Sequence, residues 1–189
     1  DFLNPGQNVL ELLLFNSHDR SKKFSISAGI YRFVCANGLV VADSVFESYD
    51  IKHIGDKENE VKNAVDNIVK AKEKIMDKIT LFENTMLNES EKESFARASI
   101  PLRFEKHLQV NYKDLLEPNR ISDDKNDLYT VFNTIQEHLI RGNLSGINKI
   151  TGRRFTSKEI KSISTDAQIN KSLWQMAENI AKIKQSQVA

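Results

Sequence analysis

The chain is poor in the residues that usually announce chemistry or a special environment. Among its 189 residues it has one cysteine, three prolines and seven glycines. With Cys35 alone, no internal disulfide framework and no multi-cysteine metal cluster can be built, and a reducing, cytoplasmic setting is the simplest reading. Charge of one sign is also lacking: 27 Lys and Arg stand against 26 Asp and Glu. This balance argues against a strongly basic DNA coat and against an acidic mimic of nucleic acid, so any binding site must arise from local segregation of charge. Long apolar runs are missing as well. Leu12 to Phe15, with Val9 and Leu10 upstream, is interrupted by Glu11 and falls far short of the roughly 20 helical residues that cross a bilayer. No basic, apolar and small-residue leader precedes it, and no membrane association is expected. Ser17 lies in no nucleophile elbow, and there is no phosphate-binding Gly-Lys-Ser/Thr loop. A typical serine hydrolase, an ATPase and a dinucleotide enzyme therefore have no support.

What is present reads as one α+β domain over residues 1–189, strand-rich over 1–55 and helical over 56–189. A chain of this length buries roughly 70 % of its unfolded surface. Val9 to Phe15, Phe24 to Ser27, Leu39 to Ala42 and Val45 to Ile54 read as strands of an antiparallel sheet of three to five strands, while Ala28 to Ala36 fits a strand or a short helix. After Gly55 the apolar period changes. Val61, Val65, Ile68, Ile75, Ile79, Phe82 and Met86 follow steps of four and three, which predicts a helix of about 28 residues, roughly 42 Å long. It either lies across the sheet or associates with a second copy as a coiled coil. Ser90 with Glu93 suits a capping box for a second helix running towards Ile100 and stopping before Pro101. Asn111 to Leu116 reads as a short helical turn, a further helix starts after Ser122 or Asp123 and ends at Gly142, and Thr165 with Gln168 opens a last helix containing Trp174 and Met176.

The stretch Asp127 to Arg141 has two contrasting faces. Leu128, Phe132, Ile135 and Leu139 make one apolar stripe, whereas Asn133, Gln136, Glu137 and Arg141 line up on the flank. A solvated flank is usually filled with Lys and Glu. Two amides in line with an acid and a guanidinium suit directional hydrogen bonding instead. This stripe is either a recognition surface or an internal polar network that locks the helix to its neighbours.

Lys149 to Lys161 is the one cationic patch with few opposing charges. It holds Lys149, Arg153, Arg154, Lys158 and Lys161 against Glu159 alone, with Thr151, Thr156 and Ser157 among them. Lys and Arg supply charge to phosphates, and hydroxyls and backbone amides supply short contacts. Phe155 either stacks on a base or pins the loop to the core. His18, Asp19 and His53 follow or end predicted strands and would form a metal or acid/base cluster if those strands pair suitably. Turn-stabilising bonds are the commoner fate of Asn16-Ser17-His18-Asp19, so no metal and no cofactor is expected. Cys35, beside Phe33 and Val34, reads as an inert thiol.

FNTIQEHLIRGNLSG, then TGRRFTSKEI and INKSLWQMAENIA, resemble the C-terminal half of the phage and plasmid-related family known as domain of unknown function 932. LLLFNSHDRSKKF, GIYRFVCANGLVV and IKHIG match further blocks in the family's order. Arg20 and Asn143 stand where the family usually has glycine. Members are encoded in prophages and in the early-entering regions of conjugative plasmids, and they normally extend further upstream, so the chain looks like the C-terminal portion of a longer protein. The resemblance implies a mobile-element accessory protein in the bacterial cytoplasm. With the cationic patch and the polar stripe, it leads to the expectation of a protein that binds DNA, single-stranded or recombining, without catalysis. A protein-binding inhibitor of a host defence system is the alternative, and a metal-dependent nuclease using His18, Asp19 and His53 the second.

Overall fold

The computed structural model describes residues 8–15, 24–32, 38–39, 49–51 and 57–188. They fall into two compact units, residues 1–78 and 79–189. In the first, β1 (Asn8–Phe15) pairs antiparallel with β2 (Phe24–Arg32) along its whole length, from Asn8 opposite Arg32 to Phe15 opposite Ser25. The segment Ala28 to Arg32 is therefore strand, which settles the ambiguity of its pattern for those residues. β2 also pairs antiparallel with β3 (Gly38–Leu39) and with β4 (Tyr49–Ile51). Helix α1 (Lys57–Glu83) is 27 residues long, close to the length that its apolar period predicts.

The second unit is organised around three helices. α2 (Glu89–Ser99) is capped by Asn88, whose side chain accepts from the Glu91 amide at 3.0 Å while Glu91 accepts from the Asn88 amide at 2.8 Å. The capping box thus lies two residues before the Ser90 and Glu93 pair, because Asn88 with Glu91 has the same spacing and makes both reciprocal bonds. Beyond the helix, Ile100–Leu102 continues as a 3-10 turn across Pro101. Next comes β5 (Leu108–Val110), then a 3-10 turn at Tyr112–Leu115 capped by Asn111. Helix α3 (Leu128–Arg141) starts at Asp127, whose carboxylate accepts from the Thr130 amide and hydroxyl, each at 2.8 Å. Ser122 and Asp123, the starts expected from sequence, belong to a 3-10 turn instead.

β6 (Ser145–Asn148) and β7 (Arg154–Thr156) follow, and α4 (Ile163–Val188) closes the unit. The Ser162 hydroxyl accepts from the Thr165 amide at 3.3 Å, so the cap lies three residues before Thr165. β5, β6 and β7 form a second antiparallel sheet within the region expected to be wholly helical. The described chain is α+β, with strands both before and after the long helix in sequence. Among the described residues no helix is long and apolar enough to cross a membrane.

The core of this unit gathers on α3 and α4. Leu128, Phe132, Ile135 and Leu139 are fully buried, as are Leu173 and Ala177. Trp174 is 1 % exposed; its ring lies 4.9 Å from Phe82 and meets Phe132 edge-on at 5.9 Å. The indole N–H donates to Glu178 at 2.9 Å, so the polar end of the largest core side chain has a partner. Trp174→Ala should therefore lower the stability of the protein by about 3–5 kcal/mol. Denaturant unfolding checks this, and a wild-type midpoint would show that the indole packs far less completely than its burial indicates.

Candidate nucleic-acid interface

The cationic patch is a β-hairpin rather than an irregular loop. Ser145 pairs with Thr156, Gly146 with Phe155 and Ile147 with Arg154. The turn is built by Asn148, whose side-chain oxygen accepts from the amides of Ile150 at 2.9 Å and Thr151 at 3.1 Å. Gly152, at φ 68°, returns its amide to the Asn148 carbonyl at 2.8 Å. An Asx turn closed by a left-handed glycine needs just these residue types.

At its base the hairpin is bonded to the end of α3. The Asn143 amide donates to the Ser157 carbonyl at 2.8 Å, and the Ser157 amide donates to Leu144 at 2.9 Å. Ile160 donates to the Ile140 carbonyl at 2.9 Å, and the Arg103 guanidinium bonds the carbonyls of Leu139 and Lys158. Carbonyls left over at the helix C-terminus are thereby used to hold the strand. Gly142, at φ 80°, comes so close that a Cβ there would lie 2.7 Å from the Lys158 carbonyl oxygen. Asn143 has φ 61°, so it keeps the left-handed backbone that the family's usual glycine would supply; asparagine tolerates this region better than most residues.

Lys149, Arg153, Arg154, Lys158 and Lys161 are all exposed. None of the five takes part in an ion pair among the described residues, in contrast to Arg97, Arg120, Arg141 and Lys184, which do. Phe155 is only half-buried, with its ring 6.1 Å from Phe104. A Cβ on Gly146 would meet that ring at 2.5 Å, so the absence of a side chain at 146 is what admits the phenyl group. The ring thus packs over Gly146 and towards Phe104, the pinning arrangement that was one of its two sequence readings, while its half-exposed part borders the cleft beside the hairpin.

Of the two readings of the polar stripe on α3, three of its four residues take the internal one, so Asn133, Gln136 and Glu137 are not part of an exposed recognition surface. Asn133, Gln136 and Glu137 are buried, at 3 %, 1 % and 4 % exposure. Asn133 donates to the Tyr129 carbonyl at 2.6 Å. Gln136 donates to Asn170 at 2.8 Å, and Asn170 donates to Asp166 at 2.7 Å. Burial pushes the Asp166 carboxyl up from its ordinary value, against the opposing hydrogen bond from Asn170. Glu137 accepts from both terminal nitrogens of Arg120, at 2.9 and 3.0 Å. Burial pushes the Glu137 carboxyl up, but the bonds and charge of Arg120, with Asn119 and Arg141, outweigh it and hold the group below the usual glutamate range. Arg141 alone of the four is exposed, 3.6 Å from Glu137, and the pair lines a polar recess of about 450 Å³ with Asn119, Arg120 and His138. Three of the four residues therefore form an internal network, because α3 is packed on its polar flank as well as on its apolar one.

A cleft of about 720 Å³ beside the hairpin is lined by Arg97, Gln109, Tyr112, Ile147, Arg154 and Phe155, among others. Of these, sequence reasoning picked out only Arg154 and Phe155. Gln109, Ile147 and Arg154 stand opposite one another on neighbouring strands, so they share one face of the sheet. The signal for the hairpin was available: Ser-Gly-Ile-Asn and Arg-Phe-Thr flank a five-residue segment with a glycine, a hairpin pattern. Nothing in the sequence brings Arg97 or Gln109 to it. His18, Asp19, His53, Arg20 and Cys35 lie outside the described residues. Among the described residues, no group of three His, Cys, Asp or Glu is placed to hold a metal ion.

The family described as domain of unknown function DUF932 matches residues 5–174, and the chain belongs to it. It is 35 % identical over 176 residues to the UPF0380 protein YfjQ of Escherichia coli strain K12, covering 93 % of this chain and 64 % of that protein. It is 34 % identical to the UPF0380 protein YafZ of the same strain over 174 residues, 92 % of this chain and 63 % of that one. The chain thus spans somewhat less than two thirds of the length of these relatives. No solved structure matches.

Two stability outcomes follow from the network. Gln136→Ala should cost about 1–3 kcal/mol, because Asn170 loses a donor in a fully buried place; thermal melting at wild-type temperature would count against an internal role. Arg120→Met should cost about 2–4 kcal/mol at neutral pH, since it leaves the Glu137 carboxylate buried without its main partner. A carboxyl whose folded pKa is lowered stabilises the fold above its unfolded value and loses that contribution as pH falls through the folded one. The gap between Arg120→Met and wild type should therefore narrow in acid, and a gap constant from pH 7 to the acid limb would contradict the pairing.

Proposed function

We propose that this protein is a non-catalytic DNA-binding accessory factor of a mobile element, and that the β6–β7 hairpin is its phosphate-contacting surface. The observation that carries the reading is the exposure of five cationic side chains, without ion pairs among the described residues, on one short hairpin and the segment after it. Phosphate contacts by Lys and Arg release counterions from the nucleic acid, a gain that does not require a net basic protein. A near-neutral chain with a local cationic edge is suited to that mode. The hairpin is also held in place by α3 and Arg103, so its charges are presented on a fixed backbone rather than on a wandering loop, and less ordering is needed on binding.

Arg153→Ala combined with Arg154→Ala should weaken binding to DNA by about tenfold and flatten the dependence of log affinity on log salt by about 1.5, as expected for the loss of two phosphate contacts. Both positions are exposed, so the melting temperature should stay near that of the wild type. Unchanged affinity and slope in the folded double variant would remove the hairpin from the interface. That outcome would favour a protein partner, such as a host defence enzyme.

A further inference from the structure

The cleft beside the hairpin has a chemistry of its own. Its lining includes two guanidinium groups, Arg97 and Arg154, and no carboxylate. The Arg97 guanidinium lies 3.9 Å over the Tyr112 ring, and Glu93 holds its Nε at 2.7 Å. Its side chain is nevertheless 58 % exposed, so the group is a fixed plane with much of its surface facing solvent. Ile147, between Gln109 and Arg154 in the cross-strand row, is 46 % exposed. A large apolar side chain thus stands uncovered in the middle of a polar, cationic surface.

We infer that this cleft seats a few nucleotides of an unpaired DNA strand. The inference rests on the nucleic-acid reading above and narrows it to single strands. The flat faces of unpaired bases are free to lie against Ile147 and against the plane of Arg97 on Tyr112, since every base has such a face and guanidinium planes stack on it. Gln109 and Asn111 present amides to base edges, and Arg154 meets the phosphates. In a duplex the same base faces are covered by their neighbours in the stack, and only groove edges and phosphates remain to be touched. Both the hairpin cations and the cleft would engage a single strand, whereas a duplex would meet the cations alone. With Arg97 paired to Glu93 and no acidic side chain in the lining itself, the charge offered to a polyanion comes chiefly from Arg154 and the neighbouring hairpin cations, and an opening of about 720 Å³ is of the size that encloses small organic groups.

The test places a reporter in the cleft. Trp174 is the only tryptophan and is 1 % exposed, so Ile147→Trp adds an indole whose emission reads the cleft against a constant background. An oligothymidine of about 12 nucleotides, within the usual range of strand lengths covered by one binding face, should quench that emission, saturating where anisotropy of the labelled oligonucleotide saturates. Heparin, a polyanion without bases, should displace the oligonucleotide without quenching. In parallel, Ile147→Ser should weaken binding of the same oligonucleotide by about three- to tenfold and leave binding of a short duplex unchanged. Oligothymidine bound with no change in the added indole, or an equal loss for single strand and duplex in Ile147→Ser, would overturn the cleft while leaving the hairpin reading standing. Failure of the unaltered protein to bind either DNA at low salt would overturn both.

Discussion

Helix α3 is buried on every side but one, and the rest of the second unit is arranged around that condition. Of its residues only His138 and Arg141 escape burial. An apolar helix could meet this constraint by packing alone, as Phe132 does against Trp174 and as the full burial of Ile135 and Leu139 requires. The polar flank cannot, because each buried donor or acceptor without a partner costs about 1–3 kcal/mol. Gln136 therefore requires Asn170 from α4, and Glu137 requires Arg120 from the turn before α3. These bonds are specific in direction, so they set how α4 and the preceding turn sit on the helix in a way that apolar contact does not.

The same helix delivers the hairpin to the surface. Its last carbonyls would be orphaned in a partly buried place, and Arg103 and the Ile160 amide take them up. Arg103 at once binds the Lys158 carbonyl, so one side chain ties the helix end to the strand that carries the cations. Gly142 allows the two backbones to approach, and Asn143 turns the chain into β6. The consequence is a division of charged groups. Those near α3 are paired and structural, while those on the hairpin are exposed and available to a polyanion.

Helices and their apolar faces were legible in the sequence because long periodic segments carry many repeats of the same signal. The 27-residue α1 and the stripe of α3 both follow from spacing alone. Caps were misplaced by two to five residues, since Asn88, Asp127 and Ser162 compete with equally plausible cap residues nearby. Strands of three or four residues, such as β5, β6 and β7, hold too few alternations to register, and the second sheet was missed as a sheet. The choice between the two readings of the Gln136 and Glu137 flank was not legible for a different reason. A polar flank looks the same in sequence whether it faces water or partners on Asn170 and Arg120, and those partners lie 34 residues after and 17 residues before their bonded side chains. Phe155 illustrates the same limit: its packing depends on Gly146, a neighbour only through the hairpin.

The proposed function rests on how charge and exposed surface are distributed over one hairpin and one cleft. Hydrogen–deuterium exchange with and without single-stranded DNA reads that distribution most directly, because it reports contact segment by segment without altering a residue. The account expects protection of the amides of residues 145–161 and 109–112, where the hairpin and the cleft lie, with the buried helix α3 unchanged. Protection confined to α4, or none in the presence of bound DNA over those two segments, would contradict it.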